Sequence, residues 1–201
     1  MSNPHESVVP GVTAEELERR WALARAMMRS ERIDFLVVRN DEEFLGGYVR
    51  WFTDFPARHS YPYTVIFPVD DEMTLVSPGP FAPVDPGPPP WAVRGVKKRL
   101  GAPYFGSAHF TSTYDAELVA GVLREKKDAV IGFVGTAQVP FVFYDYLKKH
   151  LPGTTFVDVT DKIDHFKAIK SEEEIKLIHR AAAMQDVAFE HVLKLIKPGM
   201  R

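Results

Sequence analysis

Cysteine is absent from the 201 residues, which removes disulfide scaffolds and thiolate metal sites and leaves secretion without support. No run approaches the ~20 apolar residues that span a bilayer, and Met1 to Val12 lacks the basic region and apolar stretch of a signal peptide. Neither sign of charge dominates. The 25 basic and 27 acidic residues are interspersed and leave a net charge of -2, so no field favours nucleic acid or an anionic membrane. Internal repeats at solenoid periods are missing too. What these absences leave is a soluble, cytoplasmic chain, long enough for one good core in one or two domains.

Several catalytic signatures are also lacking. No G-x-x-x-x-G-K-[ST] occurs, which excludes a P-loop. Gly132-Phe133-Val134-Gly135 lies between a strand and a helix but lacks G-x-G-x-x-G spacing, so it reads as a tight βα turn. Phe105-Gly106-Ser107-Ala108-His109 misses the second glycine of a nucleophile elbow. The seven histidines never fall at i, i+4, and His179 and His191 have no carboxylate at motif spacing, so no metal ligand is assigned in this chain.

What is present is well punctuated. After a leader over 1–12 expected to be disordered, Thr13 and Glu16 read as a capping box ahead of Leu17, Trp21, Ala24 and Met28, which share one helical face. Ile33 to Val38 reads as a strand buried on both sides. Asn40 and Glu43 can cap a short helix ending at Gly46-Gly47, before the aromatic segment Tyr48 to Phe52. Tyr61 to Phe67 and Met73 to Ser77 flank Asp70-Asp71 as a hairpin. The segment 77–90 holds seven prolines and two glycines and reads as a stiff extended loop that supports neither ladder nor helix. Trp91 to Leu100 reads as an amphipathic helix capped by Gly101. Its cations form a solvated face, since no stacking aromatics are interleaved with them. A helix over Asp115 to Lys127, a strand over Ala129 to Val134, a helix from Pro140 to His150 and a strand over Thr155 to Val159 follow. Strands alternating with helices, plus a hairpin, predict an α/β fold with a mixed, partly antiparallel sheet flanked by helices.

Two stretches stand apart. Phe55-Pro56-Ala57-Arg58-His59-Ser60-Tyr61 brings a guanidinium, an imidazole and aromatics onto one loop, which suits a carboxylate or polar substrate; an exposed loop with ordinary charges is the alternative. The last helix is marked by Ser171 and Glu174 as a capping box and by Pro198-Gly199 as its end, predicting about 25 residues or roughly 37 Å. Its two apolar stripes, one through Ile178, Ala182, Phe189 and Ile196 and the other through Leu177, Ala181, Met184, Ala188 and Leu195, cover about half the circumference. An ordinary surface helix has an apolar arc of ~100°. We expect packing on two sides, and a chain that continues into something larger.

Ala168-Ile169-Lys170-Ser171-Glu172-Glu173-Glu174-Ile175, with Ile178, the alanine run and Ile196-Lys197-Pro198-Gly199-Met200, resembles the junction between the N-terminal and catalytic domains of the pita-bread metallohydrolases. That family includes creatinase, prolidase and aminopeptidase P. Asp34 to Val38, the Asn40 to Tyr48 segment beside the family's Asn-x-x-Tyr-Leu-Thr-Gly, the hairpin, Ile131 to Gly135, and Leu151-Pro152-Gly153 followed by Val157 to Asp161 fall in the family's order. Gly46-Gly47 replaces the usual Thr-Gly. The resemblance implies a creatinase-type N-terminal domain over 13–167, with 168–201 as linker and first helix of a catalytic domain.

It further implies a non-catalytic role in dimerisation and substrate access, in a metallohydrolase acting on C–N bonds of peptides or small amides. Two divalent ions, Mn, Zn or Co, are expected on two Asp, one His and two Glu of that catalytic domain, none of which lies in this chain. No catalytic activity is therefore expected of the chain alone. Phe55, Arg58, His59 and Tyr61 are implied to meet substrate at a partner subunit's active site in a homodimer. A free-standing binding or dimerisation module without hydrolase activity is the alternative, and an Asp, Asp, His, Glu, Glu series downstream of Arg201 would separate the two.

Overall fold

The computed structural model describes residues 11–40, 47–55, 61–80, 82–83 and 93–200. Residues 1–10 of the leader, the helix expected between Asn40 and Gly47 and most of the proline-rich segment lie outside them, whereas Val12, expected to be disordered, is buried and hydrogen-bonded to Asp54 and Arg94. The chain divides into two compact units, 1–167 and 168–201.

The first unit is a seven-stranded sheet between two helical layers. Its strands are β1 (Phe35–Asn40), β2 (Tyr63–Pro68), β3 (Met73–Pro78), β4 (Ala82–Pro83), β5 (Val96–Ala102), β6 (Val130–Val134) and β7 (Thr155–Asp158), in spatial order β4-β5-β3-β2-β1-β6-β7. Helices α1 (Ala14–Glu31), α2 (Tyr48–Thr53), α3 (Tyr114–Leu123), α4 (Phe141–His150) and α5 (Thr160–Ala168) complete it. β1 pairs antiparallel with β2 and parallel with β6, so the sheet is mixed as expected.

Period-2 alternation explains the two layers. Leu36 and Val38, Val65 and Phe67, and Leu75 point to a core shared with Met28 of α1, Phe52 of α2 and Ile163 of α5. Val37, Ile66 and Val76 point the other way, to a core with Val119 and Leu123 of α3 and Phe143 and Leu147 of α4. Both faces are covered, which is why these strands read as near-continuous apolar runs. Gly132 in β6 has no room for a side chain, because Leu36 Cδ2 and Val159 Cγ2 would lie 2.7 and 3.1 Å from an added Cβ.

The local signals at α1 hold: Thr13 Oγ1 accepts from the Glu16 amide at 3.2 Å, and Leu17, Ala24 and Met28 are fully buried. The Glu16 carboxylate turns to Arg19 and Arg20. Three expectations are corrected. Within the stretch predicted as a helix from Trp91 to Leu100, Val96 onward is instead strand β5, paired parallel to β3. Its apolar half, Leu100 and Ala102, is buried, while Lys97 and Lys98 stay exposed. Sheet pairing overrides the helical period there. Gly101 is a strand residue rather than a helix cap, and the Pro80 carbonyl fills the space its side chain would need. The segment 77–90 does support a ladder, since Ala82 and Pro83 pair with Gly101 and Leu100 as an edge strand, where proline is tolerated.

The second unit is α6 (Glu172–Leu195), 24 residues long. Both halves of the capping box are made, with the Glu174 amide donating to Ser171 Oγ at 3.1 Å and the Ser171 amide to Glu174 Oε2 at 2.9 Å. Two-sided packing is not met in this chain: no residue of α6 is buried, and Met184, Phe189 and Leu195 are each about two-thirds exposed.

A buried ion pair joins the sheet to α3. Arg39 Nε donates to Asp115 Oδ2 at 2.8 Å with both side chains 3% exposed, and the guanidinium lies 5.3 Å from the Phe143 ring centroid. Removing one partner of such a pair strands a buried charge. Asp115→Ala should lower the unfolding free energy by about 3–5 kcal/mol, and Arg39→Met combined with Asp115→Leu should recover most of it. Urea unfolding of the three chains checks this; a double variant that recovers none of the loss would show that a stranded Arg39 charge is not what destabilises Asp115→Ala.

Candidate functional site

The loop singled out in the sequence begins where α2 ends. Asn40, the last residue of β1, accepts from the Val49 amide through Oδ1 at 2.9 Å and so fixes the start of α2. Trp51 and Phe52 then enter the core, with rings 4.9 Å apart at 80°. Trp21 Nε1 donates to the Phe52 carbonyl at 2.7 Å, and Arg20, held by Glu16, donates to the Trp51 carbonyl at 3.2 Å. Two of the carbonyls that a six-residue helix leaves open are thus satisfied from α1.

Asp54 follows in the left-handed region, φ 58°, which turns the chain out of α2. Its Oδ2 accepts from the Val12 amide at 3.2 Å and from Arg94 Nη2 at 2.9 Å, while Arg94 Nη1 donates to the Val12 carbonyl at 2.6 Å. One carboxylate and one guanidinium therefore clasp three distant segments at the loop's root. Burial pushes the Asp54 carboxyl above its usual value, against the opposing pull of Arg94, Arg50 and the Val12 amide.

Phe55 packs its ring 5.2 Å from that of Tyr63, so the two stems of the loop touch across β2. Of the sequence-assigned residues, Phe55 is half-buried in this contact and Tyr61 is exposed at 48% on the far stem. Arg58 and His59 lie outside the described residues. The structure thus brings the ends of the loop together on a braced base.

The bracing is not legible in the sequence, which offers Asn40 as a cap for a helix before Gly47 and gives no sign that Asp54 and Arg94 pair. No short-range pattern announces a contact 40 residues apart. The same holds for Tyr48. Its hydroxyl donates to Asp164 Oδ2 at 3.0 Å and its ring lies 3.9 Å from Lys167 Nζ, tying α2 to α5.

Among the described residues no group of three or more His, Asp or Glu side chains converges as a metal site would require. No helix among them is long and apolar enough to cross a membrane. The described residues of the first unit form a layered α/β domain with a braced turn at Asp54.

Comparison with known proteins gives that class its family. The model of the creatinase/prolidase N-terminal domain matches residues 20–169, and the chain belongs to this family. A 44-residue stretch is 43% identical to the uncharacterized peptidase YqhT of Bacillus subtilis, covering 22% of this chain and 12% of that protein. The fold is similar to that of an X-Pro aminopeptidase from Thermotoga maritima, with TM-score 0.65 and 14% identity over 90% of this chain and 44% of that one. It is also similar to the dipeptidase PepE of Mycobacterium ulcerans, with TM-score 0.60, 18% identity, and 94% and 46% coverage. An Xaa-Pro aminopeptidase chain from Streptococcus pyogenes matches with TM-score 0.53 and 18% identity, over 76% of this chain and 98% of that one. The chain therefore spans under half the length of the Thermotoga and Mycobacterium proteins.

The Tyr48 environment yields a measurable consequence. Burial, and then the hydrogen bond to Asp164 and its charge, raise the phenol from 10.0 to about 12. Because the folded value is the higher one, its stabilising contribution is complete below pH 10.0 and is lost as pH rises through about 12. Tyrosinate absorbance should show one group titrating near the upper value, missing from Tyr48→Phe, and stability should fall more steeply over this window in the wild type. An unchanged titration in the variant would assign the late phenol elsewhere.

Proposed function

We propose that this chain is the non-catalytic N-terminal domain, with the first helix of the following domain, of a homodimeric metallohydrolase acting on C–N bonds of peptides or small amides. The observation that carries the reading is the family match over residues 20–169 on a domain without a convergent metal-ligand group among its described residues. The names of the similar proteins, a peptidase, an X-Pro aminopeptidase and a dipeptidase, support peptides as the substrate class. Two divalent ions, Mn, Zn or Co, would sit on the carboxylates and imidazole of the catalytic domain.

In this reading the loop from Phe55 to Tyr61 shapes substrate access at the partner's active site, where Phe55, Arg58, His59 and Tyr61 meet the substrate. The braced stems support it: a loop that must place a guanidinium across a subunit boundary gains from a root locked by Asp54, Arg94 and the Phe55–Tyr63 contact. A bidentate guanidinium contact to a carboxylate is worth ~1.5–3 kcal/mol, so Arg58→Ala in the whole protein should lower kcat/KM about 10- to 100-fold with the fold retained. Unchanged kinetics would remove Arg58 from the site.

The 201-residue chain by itself should self-associate through α6. Its exposed Met184 and Leu195 on one stripe, and Ile178 and Phe189 on the other, leave apolar surface of a kind that monomers seldom leave in water. Glu172 to Glu174 at one end and Lys194 and Lys197 at the other make an antiparallel pair of copies charge-complementary. Sedimentation of the chain and of a version ending at Lys167 checks this: a dimer and a monomer respectively are expected, and a monomeric full chain or an equally dimeric short one overturns it.

A further inference from the structure

A cavity of about 400 Å³ opens at the C-terminal ends of β6 and β7, beside the start of α4. This is within the range of small-molecule sites. Its position, beyond the carboxyl ends of parallel strands, is where open α/β sheets place ligands. Its apolar wall is a triangle of rings: Phe133, Tyr144 and Phe156 stand 5.6–5.8 Å apart, centroid to centroid. Phe141, the first residue of α4, also lines it while 80% exposed. Packing of the domain does not account for an aromatic ring left in water at the mouth of a cavity.

Asp158 supplies the polar end. Oδ1 accepts from the Thr160 amide at 2.9 Å and hydroxyl at 2.6 Å, and Oδ2 accepts from Thr136 Oγ1 at 2.8 Å. Thr160 Oγ1 is itself fixed by the Gly135 amide at 2.9 Å. Burial acts to raise the Asp158 carboxyl, but the hydrogen bonds from Thr160 and Thr136 outweigh it and hold the group below its usual value, ionised at neutral pH. A carboxylate offers roughly four acceptor positions, of which three are used. Among the described residues no lysine or arginine lines the cavity. Lys148 lies outside the lining with its ammonium 6.0 Å from the Tyr144 centroid, on a ring that already attracts positive charge.

The geometry points to a binding site for a small organic ammonium with an apolar body, its charge on the free acceptor position of Asp158 and its body against the Phe133, Tyr144 and Phe156 rings, with Phe141 closing over it. The selection is electrostatic: ring faces and a fixed carboxylate both favour a cation, and both oppose an anion of the same shape. The site uses none of the residues of the loop from Phe55 to Tyr61, so it stands or falls apart from the peptidase reading.

Titration of the 201-residue chain with phenethylammonium, followed by amide NMR, tests it. Saturable shifts confined to the surroundings of Thr136, Phe141, Tyr144 and Asp158 are expected, with 3-phenylpropionate producing none. Asp158→Asn should weaken binding by about tenfold or more, and Phe141→Ala by about threefold. The exposed position of Phe141 keeps that variant folded, so the two probes and Phe141→Ala still decide the matter if Asp158→Asn unfolds. Equal binding of the anion, unchanged affinity in Phe141→Ala, or no saturation below about 10 mM would overturn the proposal.

Discussion

β1 is the constraint from which the rest follows. It is hydrogen-bonded along both edges, to β2 and to β6, and five of its six residues are buried. Leu36 and Val38 feed one core and Val37 the other, so the strand cannot slip by one residue without exchanging the two layers. Its last two residues carry this register outward. Arg39 reaches Asp115 at the head of α3, and Asn40 holds the first turn of α2. The polar end of one buried strand thereby sets where a helix begins on each face of the sheet.

The loop from Phe55 to Tyr61 inherits its footing from this arrangement. α2 is only six residues long and would not persist alone. It persists because Asn40 caps its start, α1 satisfies its last carbonyls, and Trp51 and Phe52 are buried. The Asp54–Arg94 pair then adds the turn at 93–95 and Val12 to the same root. Membership of the creatinase/prolidase N-terminal domain family places this scaffold in its class, and the precision of the loop's base is a property of the scaffold itself.

Much of the fold was legible because the signals were local. Thr13 before α1, Ser171 and Glu174 at α6, Pro140 before α4 and the apolar run of β1 each mark an element within a few residues. β5 was not legible: Arg94, Lys97, Lys98 and Arg99 fall on one side of a helix as readily as along a half-exposed strand, and only the pairing with β3 decides. β4 escaped for a related reason, since the edge position that tolerates Pro83 is a tertiary fact. At the candidate site, the aromatic character of Phe55 and Tyr61 was plain from the sequence. The contacts of Asp54, Arg94 and Tyr48 were not, because their partners lie from 40 to 116 residues away in sequence.

The crowding around Gly132 bears on how this sequence can change over time. The room a side chain would take at that point of β6 is already filled by Leu36 from the neighbouring strand and Val159 between β7 and α5, so the three positions share one volume. Growth at 132 is open only after a contraction at one of the other two, because the reverse order passes through an overfilled interior. Substitutions there are ordered rather than independent, and lineages that differ at 132 should carry the record of that order at 36 or 159.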